Sequence, residues 1–407
     1  MTALIGWLDA SSEDQRRMRE IVNLFSERES RDELGIGQVR DALSDQLWPG
    51  TSTLFTRARY FLFIPWCYRK AAEVRKDLDK AAALADQNER RLIQALKGEK
   101  DGVIGGTIGA ALKNLPSSLY WGGMRTHRIL NDSVITRGDA IAAEVDRTHT
   151  RRPAVVEYED EAMEWHDGAF HSTLPLAPEG FPTQPIGFAM PRNEAEWLRE
   201  RMLSNSDGTM LEYALEHRPD DKSDYPWQDS MLKSACGQRA DVLEDARRFS
   251  ILMNSASLVY NLLLAEAYEE AEFTRVAEPA EGYRARLDGW AEEPNLADDI
   301  ANWDRDAFWG RVLVTNPNVN LRSRRFIDGW LDLLRTARLD DLANDENARA
   351  FIHRREAEHK RAQARLTNKR LLGAWLGSSG SGRLVYRWAQ LRPILHDIHD
   401  GLERADA

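Results

Sequence analysis

The sequence predicts a mostly α fold: a multi-helix, two-domain architecture with a few short strands and helix-turn-helix-like elements. Three observations predict it. Apolar residues recur at helical spacing in both halves, as at Ile36, Val39, Leu43 and Leu47 and at Phe249, Leu252, Met253, Ala256, Val259 and Tyr260. The chain has 407 residues, more than one hydrophobic core usually organises. Between residues 149 and 192 the helical period fades and prolines fall at 153, 175, 178, 182, 185 and 191. That stretch is expected to be an irregular linker between an N-terminal helical domain over 1–148 and a C-terminal one over 193–407.

A first helix is expected after Ser11 or Ser12, with Glu13 and Asp14 in its first turn and Met18, Ile21, Val22 and Phe25 on one face. A second spans Ile36 to Leu47 and stops at Pro49-Gly50. Thr51, Ser52 and Thr53 then offer hydroxyls to start a third, with Leu54, Ala58, Phe61 and Leu62 inward and Pro65 ending or kinking it. Residues Trp66 to Leu96 favour a long helix that closes near Gly98. In GVIGGTIGAALKNLPSSLYWGGMRTHRIL, a short helix over Thr107 to Lys113 and another opening at Pro116 outline a helix-turn-helix, whose alternative is a plain helical hairpin. The glycines there match neither the P-loop nor the dinucleotide pattern. In the second half, helices are expected over Glu194–Leu203, Gly208–Glu216, Gln228–Ala235, Ala240–Phe273, around Phe326–Leu334 and over Glu346–Leu366. The apolar stripe of Ala240–Phe273 marks the central helix of its domain. A short strand at Leu384–Trp388 and a closing helix from Gln390 complete the chain.

No apolar run reaches the length of a membrane span, and the N-terminus carries no basic segment before an apolar one, so a cytoplasmic, membrane-free protein is expected. Cys67 and Cys236 stand apart, outside any CxxC or Cys/His cluster, which argues against disulfide and zinc scaffolds. The net charge of −11 is unevenly laid out. Glu266 to Asp306 holds 13 Asp/Glu against 4 Lys/Arg, whereas Arg349 to Arg392 holds 11 Lys/Arg against 2 glutamates. A concentrated basic segment can hold phosphate whatever the total charge, unless the acidic stretch neutralises it.

Two groups of residues carry the chemistry. Arg354, Arg355, Lys360, Arg361, Arg365, Lys369, Arg370, Arg383 and Arg387, with Tyr386 and Trp388 beside them, combine charge and aromatic faces suited to nucleic acid, and the Ser378–Gly382 turn offers backbone amides. A solvated helix face explains the same letters. Arg57 and Arg59, beside the Thr51–Thr53 hydroxyls and Thr56, could hold a phosphate; the alternative is that they pair with Asp41 and Asp45, and their spacing of two sends them to different faces. Glu358-His359-Lys360 matches ExK only by coincidence, having no preceding strand with an Asp. His396 and His399 with Asp397 and Asp400 lack a third metal ligand, and His166 and His171 lack partners. No catalytic residue, metal site or cofactor is therefore assigned.

Gly6-Trp7-Leu8, LGIGQVRDALSDQLWPGTSTLFTRARYFLFIPW, LPSSLYWGG, ARRFSILMNSASLVYNLLLAE and GSSGSGRLVYRW together resemble an uncharacterised bacterial domain-of-unknown-function family over nearly the whole chain. Its members read GIGxxRDAFxDxLFPGTSTxQTRARYFLFxPW; this chain departs mainly at Trp48 and at Phe55, where glutamine is common. The resemblance implies a component encoded near helicase and phospholipase-D-like genes in phage-defence islands, and it carries over no activity. The expectation is thus a non-enzymatic nucleic-acid-binding or scaffold subunit of a bacterial multi-protein system, with DNA or RNA and other proteins as partners. The rivals are a protein-interaction adaptor and a metal-dependent hydrolase or nuclease.

Overall fold

A computed structural model of the protein describes residues 32–107, 109, 112–149 and 168–405. Fifteen α-helices run through them: α1 (Gly37–Leu47), α2 (Tyr60–Val74), α3 (Leu78–Ala95), α4 (Pro116–Thr126), α5 (Arg137–His149), α6 (Arg192–Leu203), α7 (Met210–Glu216), α8 (Gln238–Glu270), α9 (Pro279–Ala291), α10 (Leu296–Asn302), α11 (Arg305–Thr315), α12 (Leu321–Leu334), α13 (Glu346–Lys360), α14 (Lys369–Gly373) and α15 (Trp388–Leu402). The fold is mostly α. Among the described residues the only β pairing is an isolated antiparallel bridge between Leu130 and Phe170. The helix expected after Ser11 or Ser12 and His166 lie outside the described residues.

The chain divides into two compact units, each discontinuous in sequence. Unit 1 takes Met1–Ala42 with Asp245–Leu384, and unit 2 takes Leu43–Glu244 with Val385–Ala407. The division therefore cuts through α1 and α8. The described part of the proline-rich stretch, 168–191, stays inside unit 2 and is irregular, and it buries Phe170, Leu174, Phe181, Phe188 and Met190.

In unit 2, α2 is the central element and packs against α3, α4 and α5, while α15 packs against α6 and α7. Every residue of α2 from Tyr60 to Tyr68 is buried, Pro65 included. Pro65 does not end the helix: its ring removes one backbone hydrogen bond, and burial of a continuous apolar run offsets that loss. The helix expected from Trp66 to Leu96 is instead two helices. Arg75 turns extended, and the Asp77 carboxylate accepts from Lys80 N at 3.0 Å, capping α3 and restarting the helix there. Thr51–Arg59 form turns rather than a helix start, and Leu54 faces outward. Thr51 Oγ1 closes a local turn by donating to Trp48 O at 2.7 Å, and Thr56 Oγ1 ties the segment to Gly102 O at 2.7 Å.

Pro116 does open α4, but Ile104–Thr107 form turns, and the helix expected over 107–113 falls partly on residues outside the described set. Gln228–Ala235 is replaced by two 3-10 turns, Pro226–Gln228 and Leu232–Ser234. The expected strand at Leu384–Trp388 is a turn: Tyr386 and Arg387 adopt left-handed φ values of 46° and 65°, which a strand excludes, and lead into α15.

In unit 1 the core is the α8 stripe from Phe249 to Tyr268, buried as its spacing predicts. α8 is long and apolar enough to cross a membrane, but 89% of its apolar window is buried inside the protein. Asn254 and Asn261, seven residues apart on α8, hold the glycine-serine loop. Asn254 Nδ2 donates to Ser381 O, and Asn261 exchanges two bonds with Ser379, its Nδ2 donating to the carbonyl and its Oδ1 accepting from the N–H. The acidic segment takes in the end of α8, then α9, α10 and the start of α11.

One buried carboxylate ties α3 to α4. Glu89 is fully buried, and its Oε2 accepts from Ser117 N at 2.7 Å in the first turn of α4, while Arg137 Nη2 lies 3.6 Å from Oε1. Burial pushes its pKa up to about 7, with Arg137 and the Ser117 bonds pulling the other way. Because the folded-state value lies above the ordinary one, the native state takes up a proton that the unfolded chain does not between about pH 7 and 4.5. Stability contributed by Glu89 is therefore present at low pH and lost as pH rises through 7. Glu89→Gln should remove this slope: its urea midpoint relative to the parent should rise from pH 5 to pH 8 by the equivalent of roughly 3 kcal/mol. A pH-independent difference would show that Glu89 does not titrate in this range.

Candidate functional site

Arg57 and Arg59 precede α2 and point to opposite sides, as a spacing of two requires. Arg57 Nε and Nη2 grip the Asp397 carboxylate of α15 at 2.9 and 2.6 Å, and the same carboxylate accepts from Ala58 N at 3.0 Å. Its guanidinium also lies 4.6 Å over the Phe188 ring, and the bond to Asp397 holds its pKa above the ordinary arginine value. The backbone beside it is closed by Tyr120, whose hydroxyl accepts from Thr56 N and donates to Arg57 O. Arg59 forks onto Glu194 of α6, Nε to Oε2 at 2.7 Å and Nη2 to Oε1 at 2.8 Å, and Nη1 donates to Gly187 O. Both partners are acids far away in sequence. Asp41 instead pairs with Arg40, and Asp45 with Arg387.

The basic segment separates into two sets. Five of its nine candidates are committed inside their own unit. Arg355 is buried, donates from Nε to Leu34 O at 2.8 Å and lies 4.7 Å over Phe326; burial lowers its pKa. Lys360 and Arg365 both meet Glu33, at 3.3 and 2.9 Å. Arg383 pairs with Glu293, and Arg387 with Asp45 at 2.7 Å and Thr51 O at 2.9 Å. The other four, Arg354, Arg361, Lys369 and Arg370, are exposed and have no ion-pair partner among the described residues. The Lys369 ammonium lies 5.9 Å over the Phe273 ring. The acidic segment neutralises the basic one at two points within unit 1, Arg383–Glu293 and Arg349–Glu266. The aromatics expected to stack on bases are core residues: Tyr386 is buried, and Trp388 stacks on Trp48 at 5.5 Å.

Two exposed cations escaped sequence reasoning. Arg322 and Arg325 lie on α12, outside the counted basic segment, and have no ion-pair partner among the described residues. α12 packs on α13, with Phe326 stacked on Phe351 and Arg322 O accepting from Arg355. The signal was available as i, i+3 spacing in LRSRRF, but it depends on knowing which helix lies alongside.

The remaining motifs disperse. His399 Nε2 contacts Ala214 O at 2.9 Å, Asp397 serves Arg57, and Asp400 pairs with Arg218 at 2.7 Å. Among the described residues no group of three or more His, Cys, Asp or Glu is placed to hold a metal. His359 Nε2 contacts Asp32 O, so Glu358-His359-Lys360 is part of a packing arrangement. His171 lies between Arg201 and Thr173. Cys67 is buried, which pushes its thiol pKa up, and Cys236 is exposed. The serine loop spends its polar groups on α8 and on Arg286, which donates to Ser381 O and Oγ.

The Arg59–Glu194 fork is almost entirely inside the protein, so removing one partner strands the other charge. Glu194→Ala should destabilise unit 2 by about 3 to 5 kcal/mol, while the paired change Arg59→Met with Glu194→Leu should cost far less. Denaturant midpoints of the single and paired variants check this; equal losses would mean that the fork is not the source.

No curated protein and no solved structure matches the chain. A family of unknown function does, over residues 1–401, which covers every residue of the candidate site. The protein belongs to that family, DUF6361.

Proposed function

We propose that unit 1 contacts nucleic-acid backbone through Arg354, Arg361, Lys369 and Arg370, joined by Arg322 and Arg325. The observation that carries this reading is the exposure of these six side chains without an acid partner among the described residues. Contacts of Arg355 with Arg322 O and of Phe351 with Phe326 set α12 and α13 antiparallel. Helical rotation then brings Arg325 and Arg354 to the same side of the pair. Glu358 is an exposed acid between Arg354 and Arg361, so the surface is cationic without being acid-free.

With Tyr386 and Trp388 buried, the two aromatics beside the basic segment are withdrawn from the surface and its charge remains. Charge alone neutralises phosphates and leaves base sequence unread. The mode expected is therefore salt-sensitive and indifferent to sequence, suited to a non-enzymatic, cytoplasmic subunit that works beside other proteins. The phage-defence setting rests on resemblance to the family alone. An adaptor that docks acidic proteins is the second reading, favoured where the same arginines bind a polyacidic peptide and no nucleic acid.

Fluorescence anisotropy with labelled duplex DNA and single-stranded RNA at two salt concentrations tests the proposal. Changing Arg354, Arg361, Lys369 and Arg370 together to glutamine should weaken binding at every sequence and flatten the salt slope by about 3 to 4 on a log–log plot. Absence of salt-sensitive binding by the parent, or an unchanged slope in the variant, overturns it.

A further inference from the structure

Residues 32–36 lie as a strap on the C-terminal half of α13, and every contact involved is inside unit 1. The Asp32 carboxylate accepts from Ile36 N at 3.0 Å and Gly37 N at 2.7 Å, capping α1, and its carbonyl lies 2.9 Å from His359 Nε2. Leu34 O accepts from Arg355 Nε at 2.8 Å. Gly35 has φ +70°, and a Cβ there would stand 2.3 Å from Arg355 Nη2 and 2.9 Å from His359 Cε1, so only glycine lets the strap approach this closely. Between these anchors a single carboxylate, Glu33, receives both Lys360 at 3.3 Å and Arg365 at 2.9 Å.

The three strapped cations are members of the segment that sequence reasoning assigned to nucleic acid. Arg354 and Arg361, which remain exposed, are next in sequence to Arg355 and Lys360. A carboxylate and a phosphate oxygen compete for the same donors in the same geometry. A tethered carboxylate competes at high effective concentration, so it holds the site until a multivalent polyanion seated on neighbouring cations displaces it.

We propose that the strap is an internal anion which covers Lys360 and Arg365 at and just beyond the C-terminal end of α13, and that nucleic-acid backbone gains those two cations only when Glu33 leaves them. This rests on the reading that unit 1 contacts nucleic acid. Displacing Glu33 exposes two further cations beside Arg354 and Arg361 and turns a weak surface into a longer one. The tight seat of Gly35 holds the strap beyond Glu33, so the movement takes Glu33 and, with it, the Asp32 cap on the Ile36 and Gly37 amides.

The test is duplex-DNA anisotropy on the full chain. Glu33→Gln should tighten binding about tenfold and steepen the salt slope by about 2, the number of cations released. Adding Lys360→Gln and Arg365→Gln to that variant should return affinity and slope to those of the parent. If Glu33→Gln binds as the parent does, the strap is only a clamp and the inference fails while the exposed-cation reading stands. If the parent does not bind but Glu33→Gln does, the exposed-cation reading fails and the strap stands; if neither binds, both fall. Should Glu33→Gln not fold, hydrogen exchange on the parent decides. Ile36 and Gly37 amides should exchange faster in the presence of saturating duplex, and unchanged or slower exchange overturns the inference.

Discussion

Unit 2 is organised by two arginine–carboxylate forks set two residues apart. Because Arg57 and Arg59 leave the backbone on opposite sides, one reaches Asp397 on α15 and the other Glu194 on α6, and α6 and α15 themselves pack together. The forks therefore fix where α2 begins relative to two helices that lie far away in sequence. Planar guanidinium groups suit this task, since each gives two parallel bonds and so sets an orientation as well as a distance. Backbone donors complete the arrangement: Ala58 N bonds Asp397 and Thr56 N bonds Tyr120. Lysine at either position would keep the charge and lose the direction.

Helices were legible wherever a long apolar stripe met a clear stop. α1 with Pro49-Gly50 after it, α6, and α8 with its stripe all lie within a few residues of where period and punctuation place them. What failed was local competition. Asp77 offered a cap in the middle of an alanine-rich run and split one expected helix into two. Pro65 reads as a stop or a kink and does not stop α2, because the burial of its neighbours is a property of the folded unit and not of the dipeptide. The strand expected at Leu384–Trp388 is a turn whose aromatic rings serve other ends: Trp388 stacks on Trp48, and Tyr386 sits 6.2 Å from Trp227.

The candidate site was less legible than the fold, since a count of charges along the chain says nothing of who already holds them. Asp397 was weighed as a metal ligand beside His396 and His399, while its true neighbour was Arg57, 340 residues earlier. Glu33 lies outside the acidic segment and still neutralises two members of the basic one. Arg322 and Arg325 lie outside the basic segment and add to its surface. The first two misreadings share a cause, since those ion pairs join residues far apart in sequence; the third comes from which helix packs beside α13.

The same reasoning bears on a net charge of −11 in a protein with a cationic surface. Charge that is paired internally is silent at the distances where a polyanion first approaches, because the field of a close ion pair falls faster than that of a single charge and salt screens the remainder. Arg383 with Glu293 and Arg349 with Glu266 cancel in this way. On the proposed reading, a phosphate backbone meets Arg354, Arg361, Lys369 and Arg370 first, and Lys360 and Arg365 only at contact range. At that range the contest is no longer one of net charge but of which anion, the tethered Glu33 or the incoming phosphate, makes the better set of bonds with Lys360 and Arg365. A carboxylate gives two oxygens to two separate cations, whereas a phosphate chain already held by neighbouring arginines brings several oxygens at little further cost in entropy, and that difference is what can tip the exchange.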